Sequence, residues 1–379
     1  MPHYKFDQIA YNITDKKMPE PGDEKMYIGL EHLDSGSLKV TRWGSEVELK
    51  GQKLVMKKGD VLFGRRNTYL RRAAIAPHDG IFSAHGMIFR PKTEVIDSEY
   101  FPFFISSNYF MDAAIRISVG SLSPTVNWKT LKELEFDIPS LDEQRKNARM
   151  LAAINETKEA YQELLLQTDN LVKSQFIEMF GDPVLNSRQH TVRKLADLGE
   201  LNRGVSKARP RNTPDLLGGP YPLIQTGEIA AAQLYIDSYE NTYSEKGLAQ
   251  SRMWPKGTLC ITIAANIAQT AILAIDACFP DSVVGFIPGD EVTQIYMHYW
   301  FSFFQKILDE QAPQVAQKNI NLKILSNLDV MVPPLELQKK FEDFVKQSDK
   351  SKFELKEAIK SCDALMKAIL FTNLEEKED

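Results

Sequence analysis

Much of residues 127–173 recurs later in the chain. Asn127-Trp-Lys-Thr-Leu131 returns as Asn321-Leu-Lys-Ile-Leu325, an offset of 194. At that offset Leu134 falls on Leu328, Ile138 on Val332, Pro139 on Pro333 and Leu141 on Leu335. Gln144 then meets Gln338, Lys146 meets Lys340, Glu163 meets Glu357, Asp169 meets Asp363 and Lys173 meets Lys367, with no gap. Upstream the match is weaker and shifts slightly. Lys58-Gly-Asp-Val-Leu-Phe63 resembles Lys256-Gly-Thr-Leu-Cys-Ile261 at an offset of 198, and Ile28–Leu33 resembles Ile224–Ile229 at 196. Solenoid units run to about 20–45 residues, so this period means a duplicated domain instead. Each copy is a variable globular part followed by a more constant segment. A chain of 379 residues has room for this, at about 100–200 residues per domain.

The constant segments read as helices. Residues 141–180 and 335–372 contain no Gly or Pro and are rich in Glu, Lys, Leu, Ala and Gln. Pro-Ser-Leu-Asp and Pro-Pro-Leu-Glu are plausible starts, with acid in the first turn. Such helices would span roughly 57–60 Å. Their seams follow a seven-residue rhythm. Leu151, Lys158, Leu165, Val172 and Met179 form one row, with Ile154, Tyr161 and Thr168 beside it. Val345, Lys352, Ile359 and Met366 form the second helix's row, with Ser348, Leu355 and Cys362 beside it. Lys158 and Lys352 share one heptad position, where a polar residue costs stability but can fix register. The narrow seams predict that the helices pair antiparallel. The alternative is that each packs only on its own domain. Their charged outer faces are left for solvent or a partner protein.

A net charge of −5 excludes a uniformly basic coat but hides two basic clusters. Residues 57–72 carry Lys57, Lys58, Arg65, Arg66, Arg71 and Arg72 against Asp60. Residues 188–211 carry Arg188, Arg193, Lys194, Arg203, Lys207, Arg209 and Arg211 against Asp197 and Glu200. Each cluster nets +5 and one lies in each repeat, which leaves −15 to the rest. Basic loops suit phosphate contact; Arg also reads guanine edges, and Asn or Gln reads adenine. The loop at 64–72 would place Arg65, Arg66, Asn67, Tyr69, Arg71 and Arg72 on nucleic acid. In the second repeat Arg203, Lys207, Arg209 and Arg211 would act with Asn266 and Gln269, which fall between strands expected at 260–263 and 271–275.

Catalytic signatures are missing. There is no GxxxxGK[ST] loop, no [DN]PP[YF] tetrad and no GxGxxG. Val332-Pro-Pro-Leu335 only looks like the tetrad, and its counterpart Ile138-Pro-Ser-Leu141 gives it a structural reading. The six histidines show no HxxxH spacing, and His78 with His85 lack a partnering acid or cysteine. Cys260, Cys278 and Cys362 form no CxxC, so no metal site is expected and a reduced, cytoplasmic compartment fits. The most apolar stretch, 259–279, is interrupted by Asn266, Gln269 and Asp276, so no membrane span or membrane partner is expected.

The segments Asn127–Arg145 and Asn321–Lys339 share Asn-x-Lys-x-Leu and a Pro-x-Leu-x-x-Gln core. Together with the duplication, the heptad helices and the Lys-Lys-Gly-Asp-Val-Leu run at 57–62, they make the chain resemble specificity subunits of type I restriction–modification systems. Glu143-Gln144 keeps the usual Glu-Gln of that motif, and Leu337-Gln338 departs from it. The resemblance implies an α+β fold. Two tandem target-recognition domains, 1–140 and 183–334, would alternate with spacer helices at 141–182 and 335–372, and a polar tail would follow at 373–379. The helices would form an antiparallel coiled coil in a pseudo-twofold molecule. It also implies a non-catalytic subunit for host defence that recognises a bipartite double-stranded DNA target. Two modification (methyltransferase) subunits would methylate adenine N6 with S-adenosylmethionine, restriction subunits would use ATP and Mg, and this chain would bind no cofactor itself. A duplicated protein-interaction scaffold without DNA recognition is the competing reading.

Overall fold

The computed structural model describes residues 2–211, 213–264, 267–304, 307 and 320–372. It divides into two compact units, Met1–Glu163 with Leu355–Asp379, and Leu164–Glu354.

In the first unit a short antiparallel ribbon, His3–Lys5 against Glu135–Asp137, ties the start of the chain to the foot of the first long helix. One four-stranded antiparallel sheet runs in the order Ala10–Ile13, Met87–Pro91, Val61–Phe63, Ala73–Ile75. The other runs Lys16–Lys17, Lys53–Met56, Gly80–Phe82, Tyr27–Ile28, its last pair parallel. Phe6, Phe63, Phe89, Phe110 and Phe136 bury their rings together, with Phe110 supplied by the helix Asn108–Arg116. Each such ring removes on the order of 150–250 Å² from water.

The second unit repeats this plan. Its ribbon is Thr191–Lys194 against Asp329–Val332. Its first sheet runs Gly199–Arg203, Val283–Pro288, Leu259–Thr262, Thr270–Leu273, then Tyr235–Ile236. Its second runs Asn241–Tyr243, Leu217–Leu223, Ala277–Cys278, Met253–Trp254. Tyr235–Ile236 and Asn241–Tyr243 are additions with no counterpart among the strands of the first unit. The strands expected at 260–263 and 271–275 each lie one residue or more earlier.

The repeated Gln has a structural task in both copies. Gln144 is fully buried; its Oε1 accepts from Asp97 N (2.6 Å) and its Nε2 donates to the carbonyls of Val95 (3.0 Å) and Pro139 (2.8 Å). Gln338 makes the same three bonds, to Thr293 N and to the carbonyls of Glu291 and Pro333, each at 2.9 Å. A buried amide that fills its bonding capacity in this way fixes the helix entry to the loop ahead of it. Glu143 belongs to a capping box: it accepts from Ser140 N (2.9 Å) and Ser140 Oγ (2.6 Å). Pro334 stands where Ser140 would be and offers neither donor, which explains why Leu337 replaces Glu143 without loss.

The long helices run Leu141–Phe180 and Leu335–Thr372, about 60 and 57 Å at 1.5 Å per residue. Each begins in one unit and ends in the other. Inside the first unit Ala148 and Leu151 share a core with Met366, Ile369 and Leu370. Lys158, 7% exposed, donates to the Gly36 carbonyl (3.0 Å) and pairs with Asp363 (2.7 Å). Inside the second unit Val172, Phe176 and Phe180 pack with Phe341 and Val345, and Lys352, 4% exposed, pairs with Asp169 (3.0 Å) and Asp349 (2.9 Å). In that unit 169 faces 352 and 180 faces 341, so the segments run antiparallel. Burial alone would lower the Lys352 pKa, but the Asp349 and Asp169 carboxylates outweigh it and hold it above the ordinary lysine value. The ion pairs are reciprocal. Lys158 reaches the copy of Asp169, and Lys352, the copy of Lys158, reaches Asp169 itself.

The two packing alternatives are therefore not exclusive. Leu151, Val172 and Val345 are fully buried within globular cores, whereas Ile154, Tyr161, Leu165, Leu355 and Ile359 are only partly covered.

Candidate nucleic-acid interface

In the first unit the hairpin from Val61–Phe63 to Ala73–Ile75 closes on Gly64 N donating to Arg72 O (2.9 Å). Its loop is stitched to residues 119–126: Asn67 N donates to Pro124 O (2.7 Å), Val126 N to Arg65 O (3.0 Å), and Arg66 bridges Thr125. Asn67 and Arg71 adopt φ values of 54° and 49°, left-handed conformations that Asn tolerates better than most residues. Between them lies a 3₁₀ turn, Thr68–Leu70, that exposes Tyr69 by 56%.

The arginines of this loop divide into two roles. Arg66 is exposed, with one long contact to Ser123 Oγ (3.4 Å), and Arg65 has no side-chain hydrogen bond among the described residues. Arg71 is spent on Asn108 Oδ1 (3.2 Å) and the Asp112 carboxylate. Arg72 donates to the carbonyls of Leu30 (2.9 Å) and Arg66 (3.2 Å), and burial pushes its pKa below the usual arginine value. Arg71 and Arg72 thus brace the loop, while Arg65, Arg66 and Tyr69 are available at its surface. Lys57 and Lys58 separate from this group. They sit at the opposite end of Val61–Phe63, in a turn where Asp60 accepts from Lys57 N (2.7 Å) and pairs with Arg90 (2.5 Å).

In the second unit Gly204 N donates to Val283 O (2.8 Å) and Ile263 N to Ser282 O (3.0 Å). The chain after Arg203, the chain after Thr262 and the chain before Val283 therefore lie at the same end of the sheet. Arg209 donates to the carbonyls of Ser206 (2.7 Å) and Ala208 (2.8 Å) and meets the Asp281 carboxylate at 3.2 Å. Arg211 binds the other Asp281 oxygen, and Arg203 Nε donates to the Asp281 carbonyl. Gln250 Oε1 accepts from Lys207 N (2.6 Å) and Ala208 N (2.9 Å), which leaves the Lys207 side chain exposed with no partner among the described residues. Gln269 is exposed at the hairpin's end, where its backbone pairs with Thr262. Asn266 lies outside the described residues. Arg188, Arg193 and Lys194 are engaged elsewhere, with the Glu178 carbonyl (2.5 Å), Glu291 (3.2 Å) and Asp329 (2.7 Å).

Sequence reasoning missed the partners of these arginines. Asp281 lies 70 or more positions from each arginine it holds, and Asp112 lies 41 from Arg71, so no local pattern could show either. The Gly120-Ser-Leu-Ser-Pro-Thr125 run, which supplies backbone partners to the first loop, carries no charge to single it out. Among the described residues no group of three His, Cys, Asp or Glu could hold a metal, and no helix is long and apolar enough to cross a membrane.

Residues 12–166 and 188–361 match the type I restriction modification DNA specificity domain family, once in each repeat. The putative type I restriction enzyme MjaX specificity subunit of Methanocaldococcus jannaschii is 21% identical over 371 residues, covering 90% of this chain and 81% of that protein. The type I restriction enzyme EcoDI specificity subunit of Escherichia coli is 24% identical over 182 residues, 46% of this chain and 40% of that one. Among solved structures, a chain from a study of complex assembly and conformational transition of the type I R-M system aligns with a TM-score of 0.56 at 17% identity. It covers 99% of this chain and 97% of that one. The type I S subunit from M. genitalium gives 0.53 at 13% identity, over 98% and 95%. The fold is shared with both. The two family matches together span most of the sequence, and on that ground the chain belongs to the type I restriction modification DNA specificity family.

Proposed function

We propose that this chain is the DNA-reading subunit of a type I system and that each unit reads one half of a bipartite duplex target. The carrying observation is that both units project arginine-bearing loops from the same end of their first sheet, though from different strands, with Arg65, Arg66 and Lys207 left unspent or nearly so. Residues 1–140 and 183–334 act as the recognition domains, and the helices at 141–182 and 335–372 space them. Arg65, Arg66 and Tyr69 contact one half-site. Arg203, Lys207, Arg209, Arg211 and Gln269 contact the other, for which Asn266 is a further candidate. Asn67, Arg71 and Arg72 shape the first loop from within.

The chemistry belongs to partners. Two modification subunits transfer methyl groups from S-adenosylmethionine to adenine N6, which requires flipping the base out of the duplex. Restriction subunits with ATP and Mg add cleavage, and the assembly works in the cytoplasm. Family membership disfavours the competing scaffold reading. The test is to express this chain with its modification subunit and map N6-methyladenine in host DNA, using the partner alone as control. A split motif with a fixed gap, present only with this chain, is expected. A stable complex that adds no methylation would overturn DNA reading and return the scaffold.

A further inference from the structure

We propose that Asp281 is the positioning residue for the second half-site: it holds Arg203, Arg209 and Arg211 as one rigid guanidinium array. The proposal rests on the reading of loop 204–211 as DNA-facing.

Three cations gathered at one sheet end repel one another. An isolated arginine on such a loop would sample many rotamers and lose that freedom on binding. Asp281 removes both problems. One carboxylate oxygen takes Arg209 and the other takes Arg211, while its backbone carbonyl takes Arg203. The carboxylate side chain is 27% exposed, against 55% and 44% for Arg209 and Arg211. The acid therefore sits beneath and the guanidinium groups sit above it. Among the described residues Arg211 spends a single donor, on Asp281, and keeps the rest of its five-donor fork for a ligand. Two further clamps fix the loop's path: Gln250 on Lys207 N and Ala208 N, and Ser251 Oγ donating to Val205 O (2.8 Å).

A lone acid inside a DNA-binding surface lowers general attraction to phosphate. It is useful there only if it improves geometry. Asp281 thus exchanges non-specific affinity for orientation, and its removal should move the two quantities in opposite directions. A purely structural acid would not give that signature.

The experiment uses the complex of this chain with its modification subunits. Competition binding is measured on four duplexes: the intact motif from the methylation map, each half-site scrambled in turn, and an unrelated sequence. Three variants are compared with the parent. Asp281→Asn keeps the shape and loses the charge. Lys207→Ala probes the loop alone. Asp237→Asn adds the same charge at the opposite end of the sheet, where Ile236 pairs with Leu273. For Asp281→Asn, discrimination at the second half-site should fall about ten-fold or more, the scale of one lost bidentate contact. Binding to the unrelated duplex should tighten a few-fold at low salt. Discrimination at the first half-site should not change, which also certifies folding. Asp237→Asn should leave discrimination intact.

If Asp281→Asn discriminates like the parent while Lys207→Ala flattens the salt dependence, the positioning role is overturned and the loop reading stands. If neither variant alters second-site binding or its salt dependence, the loop reading itself fails. Equal loss at both half-sites would make Asp281 a general structural prop and overturn the proposal.

Discussion

The equivalent hairpins of the two units carry opposite chemistry. In the first unit the loop between Val61–Phe63 and Ala73–Ile75 holds Arg65, Arg66, Arg71 and Arg72. In the second the loop between Leu259–Thr262 and Thr270–Leu273 holds no Arg or Lys, and its polar side chains are Asn266 and Gln269. There the arginines come instead from the loop after the neighbouring strand, Gly199–Arg203. The same point in the first unit, after Ala10–Ile13, turns within two residues into Lys16–Lys17. The bracing differs too. Backbone carbonyls and a helix acid hold the first loop, and one acid from an adjacent loop holds the second. Duplication has kept the strands and released the loops, because strand order is enforced by burial while a loop tip answers only to its ligand.

The comparison breaks first in the cores. Leu151 and Val345 are equivalent and fully buried. Leu151→Ala should cost the first unit about 2–5 kcal/mol, with Val345→Ala costing the second unit less, since it removes fewer methyl groups. Segment-resolved hydrogen exchange measures both; destabilisation spread evenly over both units would refute independent cores.

Acid should separate the units next. Burial, reinforced by Lys352 and Lys173, pushes His298 down to about 4, and Thr270 Oγ1 lies 3.0 Å from its Nδ1. The offset of 196 between the clamped loops, Val95 and Asp97 against Glu291 and Thr293, places Pro102 opposite it, which cannot titrate. Below pH ~6.5 the unfolded chain takes up a proton that the folded second unit refuses until pH falls to about 4. Stability of the second unit should therefore be full above pH ~6.5 and fall towards pH 4, by up to ~3 kcal/mol. His298→Gln should flatten that dependence in denaturant titrations at pH 7.5 and 5. A slope that survives the substitution would assign it elsewhere.

The braces and the free arginines sharpen the comparison. Arg72→Ala strands the Leu30 and Arg66 carbonyls and should cost about 1–3 kcal/mol of stability. Arg66→Ala should leave melting unchanged and reduce the salt slope of DNA binding by about 1, with loss confined to one half-site. Identical behaviour of the two variants would contradict the division of roles. The smallest effect is expected at the seam. A double-mutant cycle on Lys352 and Asp169 should give a coupling of ~1 kcal/mol, because Asp169 is 42% exposed. The same value is expected for Lys158 with Asp363, and unequal values would argue against reciprocity.

The repeats, both long helices and their polar seam position were legible because they are periodic or locally encoded. The offset of 194 exposes the duplication, and the absence of Gly and Pro over 141–180 and 335–372 exposes the helices. Even the signature Gln144 could be found, although its role as a three-bond clamp could not. The basic clusters were half legible. Counting charge along the chain joined Lys57 and Lys58 to Arg65 and Arg66, yet a three-residue strand carries the chain about 10 Å and puts the two pairs at opposite ends.

By itself the sequence determined what local chemistry and self-similarity can encode: two copies of one unit, two helices, and arginines confined to particular loops. Only the tertiary structure decided which of those arginines are free. That choice depends on carboxylates and carbonyls brought in from distant positions, Asp112 for Arg71, Leu30 for Arg72, and Asp281 for Arg203, Arg209 and Arg211. Hydrogen bonds act over about 3 Å of space whatever the separation along the chain, so the folded geometry alone can pair them.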